Sequence, residues 1–300
     1  MDFQSIALPS ELRYLLQFQT NCLLIAGANI EPILYFPKQF LKKINLYICQ
    51  QETNTMLLAI DIGNTRIKCA VFEQHTIIEY FVFDKEVADK KFKEILKSHP
   101  KITHGITSSV GKMEESVIKN LEKAIVLEKI NHQTKVPFEN LYATPTTLGI
   151  DRIVLATGAT LKFPNQNRLI IDAGTCMTYD FVDSNNNYFG GAISPGLSLR
   201  LKALHNYTAK LPLLEAAYPQ NFIGNSTNEA ILSGVVNGIS HEINGFITQY
   251  SDKYEDLTII LTGGDAIFLA KNIKNTIFAN SNFLLESLNE LFIYAKNQND

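Results

Sequence analysis

The chain has 300 residues, of which 46% are hydrophobic and 19% charged, which excludes disordered and collagen-like classes and predicts about two globular domains. A chain of this size buries about 75% of the surface that its unfolded form exposes, so its core needs no disulfide or metal. The 27 basic and 30 acidic residues give a net charge of -3, without the basic excess typical of nucleic-acid-binding proteins, and we expect no nucleic acid partner.

The N-terminal segment, residues 1–55, carries no recognisable motif. Its apolar stretch at residues 15–36 is interrupted by polar side chains and Pro32, so it predicts neither a membrane span nor a signal peptide. The segment is either an N-terminal extension of unknown role or lies upstream of a natural start at Met56. The four cysteines lie far apart without a C-x-x-C pair, which predicts no zinc site and favours a reducing, cytoplasmic location without membrane attachment.

The first clear pattern begins at Met56. Residues 57–60 form a short apolar run that ends in Asp61-Ile62-Gly63-Asn64-Thr65, which predicts a strand entering a tight turn. The following patterns predict two strands, a helix, a strand and a helix, at residues 66–72, 76–83, 85–98, 102–110 and 113–123.

The same order then recurs. A helix is predicted over residues 151–161, with Asp151 as a candidate N-cap, and the apolar run 169–171 ends in Asp172-Ala173-Gly174-Thr175. Further strands are predicted at residues 177–182, 188–193 and 257–261, and helices at 197–205 and 226–250. The repeat predicts two similar α/β domains, over residues 56–167 and 168–300.

Each copy of the repeat has an Asp-x-Gly turn after its first strand, and we call residues 61–65 the first phosphate turn and residues 172–175 the second. Glycine lets the backbone approach an anion, while hydroxyl and N–H groups donate to it and the aspartate is placed to hold a metal ion. Such turns are also common in plain hairpins, but their duplication about 110 residues apart favours a functional pair. The P-loop and Rossmann glycine patterns do not occur in the sequence.

A duplicated β-β-β-α-β-α unit with two phosphate turns resembles the superfamily of acetate and sugar kinases, heat-shock ATPases and actin. Within it, residues 56–295 most resemble the type III pantothenate kinases. The resemblance rests on segments that match in order, namely residues 61–68, 108–110, 148–152 with 158–159, 172–175, 190–196, 208–212, 224–234 and 262–266. It implies an α/β fold of two similar RNase H-like domains, with ATP in the cleft between them.

The resemblance also implies a phosphoryl-donor site. The residues expected to bind ATP are Asp61, Ile62, Gly63, Asn64, Thr65, Arg66, Ile67, Lys68 and Thr175. Asp61 would position Mg²⁺, and Asp172 would bind a monovalent cation, K⁺ or NH₄⁺. A lysine at a strand edge such as Lys68 is otherwise simply solvated. Cys176 departs from the more usual family pattern after the second turn, but its small, weakly hydrophobic side chain should fit there.

For the acceptor, the resemblance implies a pantothenate site formed by Tyr142, Gly149, Ile150, Asp151, Arg152 and Thr227. Asp151 would accept the proton of the attacking hydroxyl; its alternative role is helix capping. Tyr142 is otherwise a half-buried aromatic residue, and Thr227 a hydroxyl at a helix N-terminus.

The implied activity is the ATP-dependent phosphorylation of pantothenate to 4'-phosphopantothenate, the first step of coenzyme A biosynthesis, by a homodimer. Two alternatives remain open at this stage. One is a non-catalytic transcription accessory factor with the same fold, and the other is a related kinase that acts on another small hydroxyl compound.

Overall fold

The structure, a computed structural model, describes residues 56–63, 66–108 and 113–298. The chain divides into residues 1–52 and 53–300, and the described residues all belong to the second unit. The interpretation of residues 1–55 therefore falls outside the described residues, as do the predicted ATP contacts Asn64 and Thr65. Among the described helices, none has the length and apolarity needed to cross a bilayer.

The first half of this unit forms a five-stranded mixed sheet. Its elements are β1 (Met56–Ile62), β2 (Arg66–Glu73), β3 (Thr76–Asp84), α1 (Ala88–Ser98), β4 (Ile102–Thr107), α2 (Glu115–Ala124) and β5 (Val126–Lys129). The strand order is β3-β2-β1-β4-β5. The first three strands pair antiparallel, and β1, β4 and β5 pair parallel.

The second half forms a six-stranded mixed sheet in the order β11-β10-β7-β8-β9-β6. Its elements are β6 (Glu139–Asn140), α3 (Ile150–Lys162), β7 (Asn167–Ala173), β8 (Cys176–Val182), β9 (Asn187–Pro195), α4 (Leu197–Asn206), α5 (Thr227–Leu232), α6 (Gly238–Ser251), β10 (Leu257–Thr262), α7 (Ala266–Ala270), β11 (Phe278–Ala279) and α8 (Phe283–Asn297). The pairs β7·β8 and β8·β9 are antiparallel, and β7, β10 and β11 are parallel.

The two sheets share one topology. In each, three consecutive strands form an antiparallel meander, and two later strands extend the sheet in parallel beyond the first strand of that meander. The strands β1 and β7 have the same sequence of buried and partly exposed residues, with the aspartate second from the end. The prediction of two similar α/β halves is therefore confirmed.

Helices α3 and α8 lie between the two sheets and contact each other. Leucines of α8, such as Leu288, pack with Leu57 and Ala59 of β1, whereas Leu155 of α3 packs with Ile170 of β7. Helices α1 and α2 cover the other face of the first sheet, and α4 and α6 cover that of the second. The C-terminal helix therefore completes the core of the first half.

Two details differ from the sequence prediction. The helix predicted over residues 226–250 is divided by a π-helical turn at Ser233–Asn237. Asp151 does not cap α3, because Gly149 occupies the N-cap position with non-helical backbone angles and Asp151 is already the second helical residue. An N-cap side chain accepts from backbone groups two or three residues ahead, but the Asp151 Oδ1 atom accepts from the adjacent Arg152 N–H at 2.9 Å.

Candidate active site

A cleft of about 720 Å³ opens where strands of both sheets end. It is lined by residues at or just beyond the carboxyl ends of four parallel-paired strands: Asp61 near the end of β1, Ser108 after β4, Asp172 near the end of β7 and Gly263 after β10. Ligands of α/β proteins bind at this edge because side chains and turns from several strands converge there. The duplication thus brings the two phosphate turns into one cleft.

Most of the predicted ATP and cation residues line this cleft, namely Asp61, Ile62, Gly63, Arg66, Lys68, Asp172 and Thr175. Ile67 is fully buried and packs in the core of the first half. Ser198, Ser281 and Asn282 also line the cleft, although the sequence assigned them no role. Asp265 lines it as well, within the segment 262–266 that was expected to close over the nucleotide. For Asp265 the Thr-Gly-Gly-Asp-Ala segment was the available signal.

The cleft concentrates negative charge around one lysine. Asp61 lies opposite Lys68 in the β1·β2 ladder. Burial raises the pKa of Asp61, and this rise is opposed by the Lys68 ammonium and reinforced by Asp151. Burial likewise raises the pKa of Asp172 to about 7, and the charges of Asp151 and Asp61 contribute to that rise. These carboxylates therefore share one electrostatic environment that attracts cations.

The second phosphate turn is held by close backbone contacts. Gly174 N donates to Cys176 O at 3.1 Å, and Asp265 N donates to Ala173 O at 3.0 Å. Gly263 has a positive φ of 95°, and a Cβ atom there would lie 2.4 Å from Asp172 Oδ1. Only glycine fits this position without strain, so the loop after β10 sits directly against Asp172.

Asp151 also lines the cleft, in the first turn of α3. Its side chain is exposed to the cleft, and Ile150 beside it also lines the cavity. Gly149 permits this arrangement, because a Cβ atom there would lie 2.4 Å from Asp151 Oδ1. A carboxylate at a helix N-terminus is stabilised by the helix dipole, and Asp151 is therefore available to an acceptor in the cleft.

Arg152 points away from the cleft into a buried polar network. Its Nε and Nη2 atoms donate to Asp180 Oδ1 at 2.9 and 2.6 Å, and Tyr188 Oη donates to the same oxygen at 2.5 Å. The Tyr142 ring lies 5.6 Å from the guanidinium carbon and packs on Gly190. Although burial opposes the charge, hydrogen bonds to Asp180 raise the pKa of Arg152 above its ordinary value.

Tyr142 and Arg152, both assigned to the pantothenate site from the sequence, are neighbours in the structure, but neither lines the cleft. Sequence reasoning missed Asp180, whose only sequence signal is an acidic residue within a buried strand. Thr227, the first residue of α5, is exposed and lies outside the cleft lining. Ser226 is the cap of that helix, with Oγ accepting from Glu229 N at 3.3 Å.

The residues present suit the Mg²⁺ ion that the resemblance implies. Among the described residues, no three His, Cys, Asp or Glu side chains form a ready metal cluster. Magnesium in phosphoryl-transfer sites is held by one or two carboxylates together with substrate phosphates and water. Asp61 supplies such a carboxylate beside the first phosphate turn.

Comparison with known proteins gives one consistent result. The model of the family described as type III pantothenate kinase matches residues 57–249. A type III pantothenate kinase of Flavobacterium johnsoniae is 57% identical over 239 residues, covering 80% of this chain and 98% of the relative. One from Bacteroides fragilis is 40% identical over 240 residues, with 80% and 98% coverage.

A solved structure supports the fold. A conserved Baf family protein from Campylobacter jejuni superposes with a TM-score of 0.51 at 22% identity, covering 80% of this chain and 99% of that one. At this identity the likeness concerns the fold alone. The sequence matches, in contrast, extend over most of the chain, and the chain belongs to the type III pantothenate kinase family.

Proposed function

We propose that the chain transfers the γ-phosphoryl group of ATP to the primary hydroxyl of pantothenate, giving 4'-phosphopantothenate for coenzyme A biosynthesis in the cytoplasm. The observation that carries this proposal is one cleft lined by residues of both phosphate turns and by the exposed residue Asp151. The family relatives named type III pantothenate kinase support the choice of acceptor.

The donor side of the reaction uses the two turns. The Thr175 hydroxyl binds phosphate oxygens, Lys68 supplies the positive charge that pairs with them, and Gly63 and Gly174 let the backbone approach the phosphates closely. Asp61, together with the phosphates, would hold Mg²⁺, which when bound would supply positive charge against the transferred group.

The acceptor side depends on Asp151. Phosphoryl transfer passes through a loose transition state, so positioning and charge neutralisation matter more than a strong base. Asp151 accepts a hydrogen bond from the pantothenate hydroxyl and takes its proton as the bond to phosphorus forms. The first turn of α3 (Gly149, Ile150 and Arg152) positions that carboxylate, and Arg152 is itself fixed by Asp180.

Asp172 is the proposed ligand of a monovalent cation, K⁺ or NH₄⁺. Its carboxylate is partly buried, with other aspartates nearby. The residue opposite it in the β7·β8 pair is Thr178, which carries no charge. Replacing Na⁺ by K⁺ should raise the rate of the parent protein and have little effect on Asp172→Asn. Equal parent rates in the two salts would count against the cation site.

The proposed oligomer is a homodimer, in which Thr227 and Tyr142 complete the acceptor pocket. The segment before α5 exposes large apolar side chains, among them Tyr207, Phe222 and Ile223, and an apolar patch of this kind fits an interface between copies. Light scattering tests this. A monomer that is fully active at nanomolar concentration would contradict it.

The domain division at residues 56–167 and 168–300 remains part of the proposal, with residues 1–55 dispensable. The family match begins at residue 57, and β1 is complete from Met56. A variant beginning at Met56 should retain turnover. If it were inactive while the full chain is active, the first 55 residues would be required.

The test of function is ATP consumption by the full chain with pantothenate present and absent, with the product identified by mass spectrometry. Pantothenate-dependent ADP formation together with 4'-phosphopantothenate is expected, and Asp151→Asn serves as the matched inactive control. Turnover only with another hydroxyl compound would indicate a related kinase. A folded protein without turnover on any acceptor would favour the accessory-factor alternative.

A further inference from the structure

A partly buried carboxylate, Glu242, joins four elements of the second half. From α6 its Oε1 atom accepts hydrogen bonds from Tyr179 Oη of β8 at 2.8 Å and Ser194 Oγ of β9 at 2.5 Å. Its Oε2 atom accepts from Arg200 Nη2 of α4. Both members of the Arg200–Glu242 pair are 22% exposed, so water screens this pair less than it screens the surface pairs.

This cluster lies next to the second phosphate turn, in the β8·β9 pair. Ser194 pairs with Met177, and Pro195 pairs with Cys176, the first residue of β8 after the turn. Arg200 Nε donates to Pro195 O at 2.8 Å. The cluster is thus one or two residue pairs away from the hairpin loop that carries Thr175.

Gly196, next to Pro195, contacts the second phosphate turn directly. Its N–H donates to Thr175 O at 3.1 Å, and a Cβ atom at Gly196 would lie 2.2 Å from Gly174 O. The backbone of residues 195–196 is therefore in close contact with the second phosphate turn. Two residues later, Ser198 in the first turn of α4 lines the cleft.

Electrostatic interactions hold together the cluster of Tyr179, Ser194, Arg200 and Glu242, which we call the bracket. Burial by itself disfavours the Glu242 carboxylate, but hydrogen bonds from Ser194, Arg200 and Tyr179 outweigh it and lower its pKa. Hydrogen bonds between ionised groups are roughly twice as strong as neutral ones. Loss of the Glu242 charge would therefore release the guanidinium that fixes the Pro195 carbonyl.

We propose that Glu242 and Arg200 are positioning residues that hold the second phosphate turn in the geometry required by the nucleotide. This inference rests on the proposed function, because it assigns the turn to ATP. The inference predicts different effects on the two substrates, because the bracket supports the ATP side of the cleft and does not contact Asp151.

The experiment compares Glu242→Gln with Glu290→Gln, whose parent carboxylate pairs with His75 at 2.6 Å, is 27% exposed and lies on α8 outside the cleft lining. Steady-state kinetics gives KM for ATP and for pantothenate separately, and calorimetry gives the ATP Kd. For Glu242→Gln we expect KM and Kd for ATP to rise about tenfold, the size of one weakened charge-assisted hydrogen bond, with KM for pantothenate unchanged. The control should match the parent.

Arg200→Lys keeps the charge but loses the forked donor, and it tests the inference even if Glu242→Gln fails to fold. Folded Arg200→Lys should also raise the ATP Kd, and a double variant should be no worse than the stronger single variant, because the residues act as one unit. An unchanged ATP Kd in folded Arg200→Lys, or parallel losses toward both substrates, would overturn the inference. If the parent binds ATP but does not phosphorylate pantothenate, the proposed function fails, and the calorimetric comparison still decides the role of the bracket.

Discussion

Replacing Asp172 by asparagine should stabilise the substrate-free protein at alkaline pH. Burial, with the added charges of Asp151 and Asp61, raises the pKa of Asp172 from its ordinary 3.8 to about 7. Below pH 3.8 the group is neutral in both the folded and the unfolded chain. Between these values the folded state holds a proton that the unfolded state has released, so the free energy of unfolding falls as pH rises.

The magnitude follows from that pKa. A rise in pKa from 3.8 to about 7 lowers the free energy of unfolding by about 4 kcal/mol once the pH exceeds 7. Asp172 is partly exposed to the cleft, and water there reduces this cost. Asparagine has a similar shape and does not ionise. The free energy of unfolding of Asp172→Asn, relative to that of the parent, should therefore increase by about 2 to 4 kcal/mol between pH 4 and pH 8.5.

Urea unfolding at the two pH values, without nucleotide and with tetramethylammonium as the only monovalent cation, measures this difference. Asp252→Asn, at an exposed position after α6, is the control, and it should show no such growth. An Asp172→Asn advantage that is the same at both pH values would refute the reasoning, because the cost would then not arise from ionising a buried carboxylate.

Three further predictions concern other parts of the cleft and core. Asp151→Asn should lower kcat by about 10²- to 10⁴-fold with an unchanged calorimetric ATP Kd; a loss below about tenfold would leave Asp151 without a role as base. Lys68→Met should raise KM for ATP far more than KM for pantothenate, and equal increases would contradict its pairing with phosphate. In Gly158→Ala the new Cβ would lie 1.9 Å from Ser287 Oγ, so overpacking of about 1 to 3 kcal/mol should outweigh the gain in helix propensity and lower Tm. An unchanged Tm in Gly158→Ala would show that α3 and α8 can separate freely.

The fold was predictable where local patterns decide it. Apolar runs ending in Asp-x-Gly fixed the positions of β1 and β7, and their repetition indicated two halves, because a buried strand and its turn leave a short, self-contained signal. The cleft residues followed from the same motifs. The position of α8 could not be predicted from local patterns, because residues 283–297 pack on strands of the first sheet that are more than 150 residues away in the sequence.

The site was less predictable where function depends on long-range pairs. Arg152 was assigned to the substrate, yet its guanidinium is bound by Asp180, 28 residues later. In the same way, Glu242 has the sequence signal of a solvated residue on a helix, and its partners lie 42 to 63 residues away. An acidic residue inside an apolar element carries no sequence mark that distinguishes a buried partner from a surface charge.

The two phosphate turns, although they share one topology, differ in charge, and this difference accounts for their separate proposed roles. In the β1·β2 ladder the residue opposite Asp61 is Lys68; in the β7·β8 ladder the residue opposite Asp172 is Thr178. Cross-strand neighbours lie close enough for their charges to interact. The first half therefore supplies its own cation to balance phosphate, whereas the second half leaves a partly buried carboxylate without one across its strand pair. This difference favours Asp172 over Asp61 as the proposed ligand of the monovalent cation, while Asp61, beside Lys68, is left for the proposed Mg²⁺.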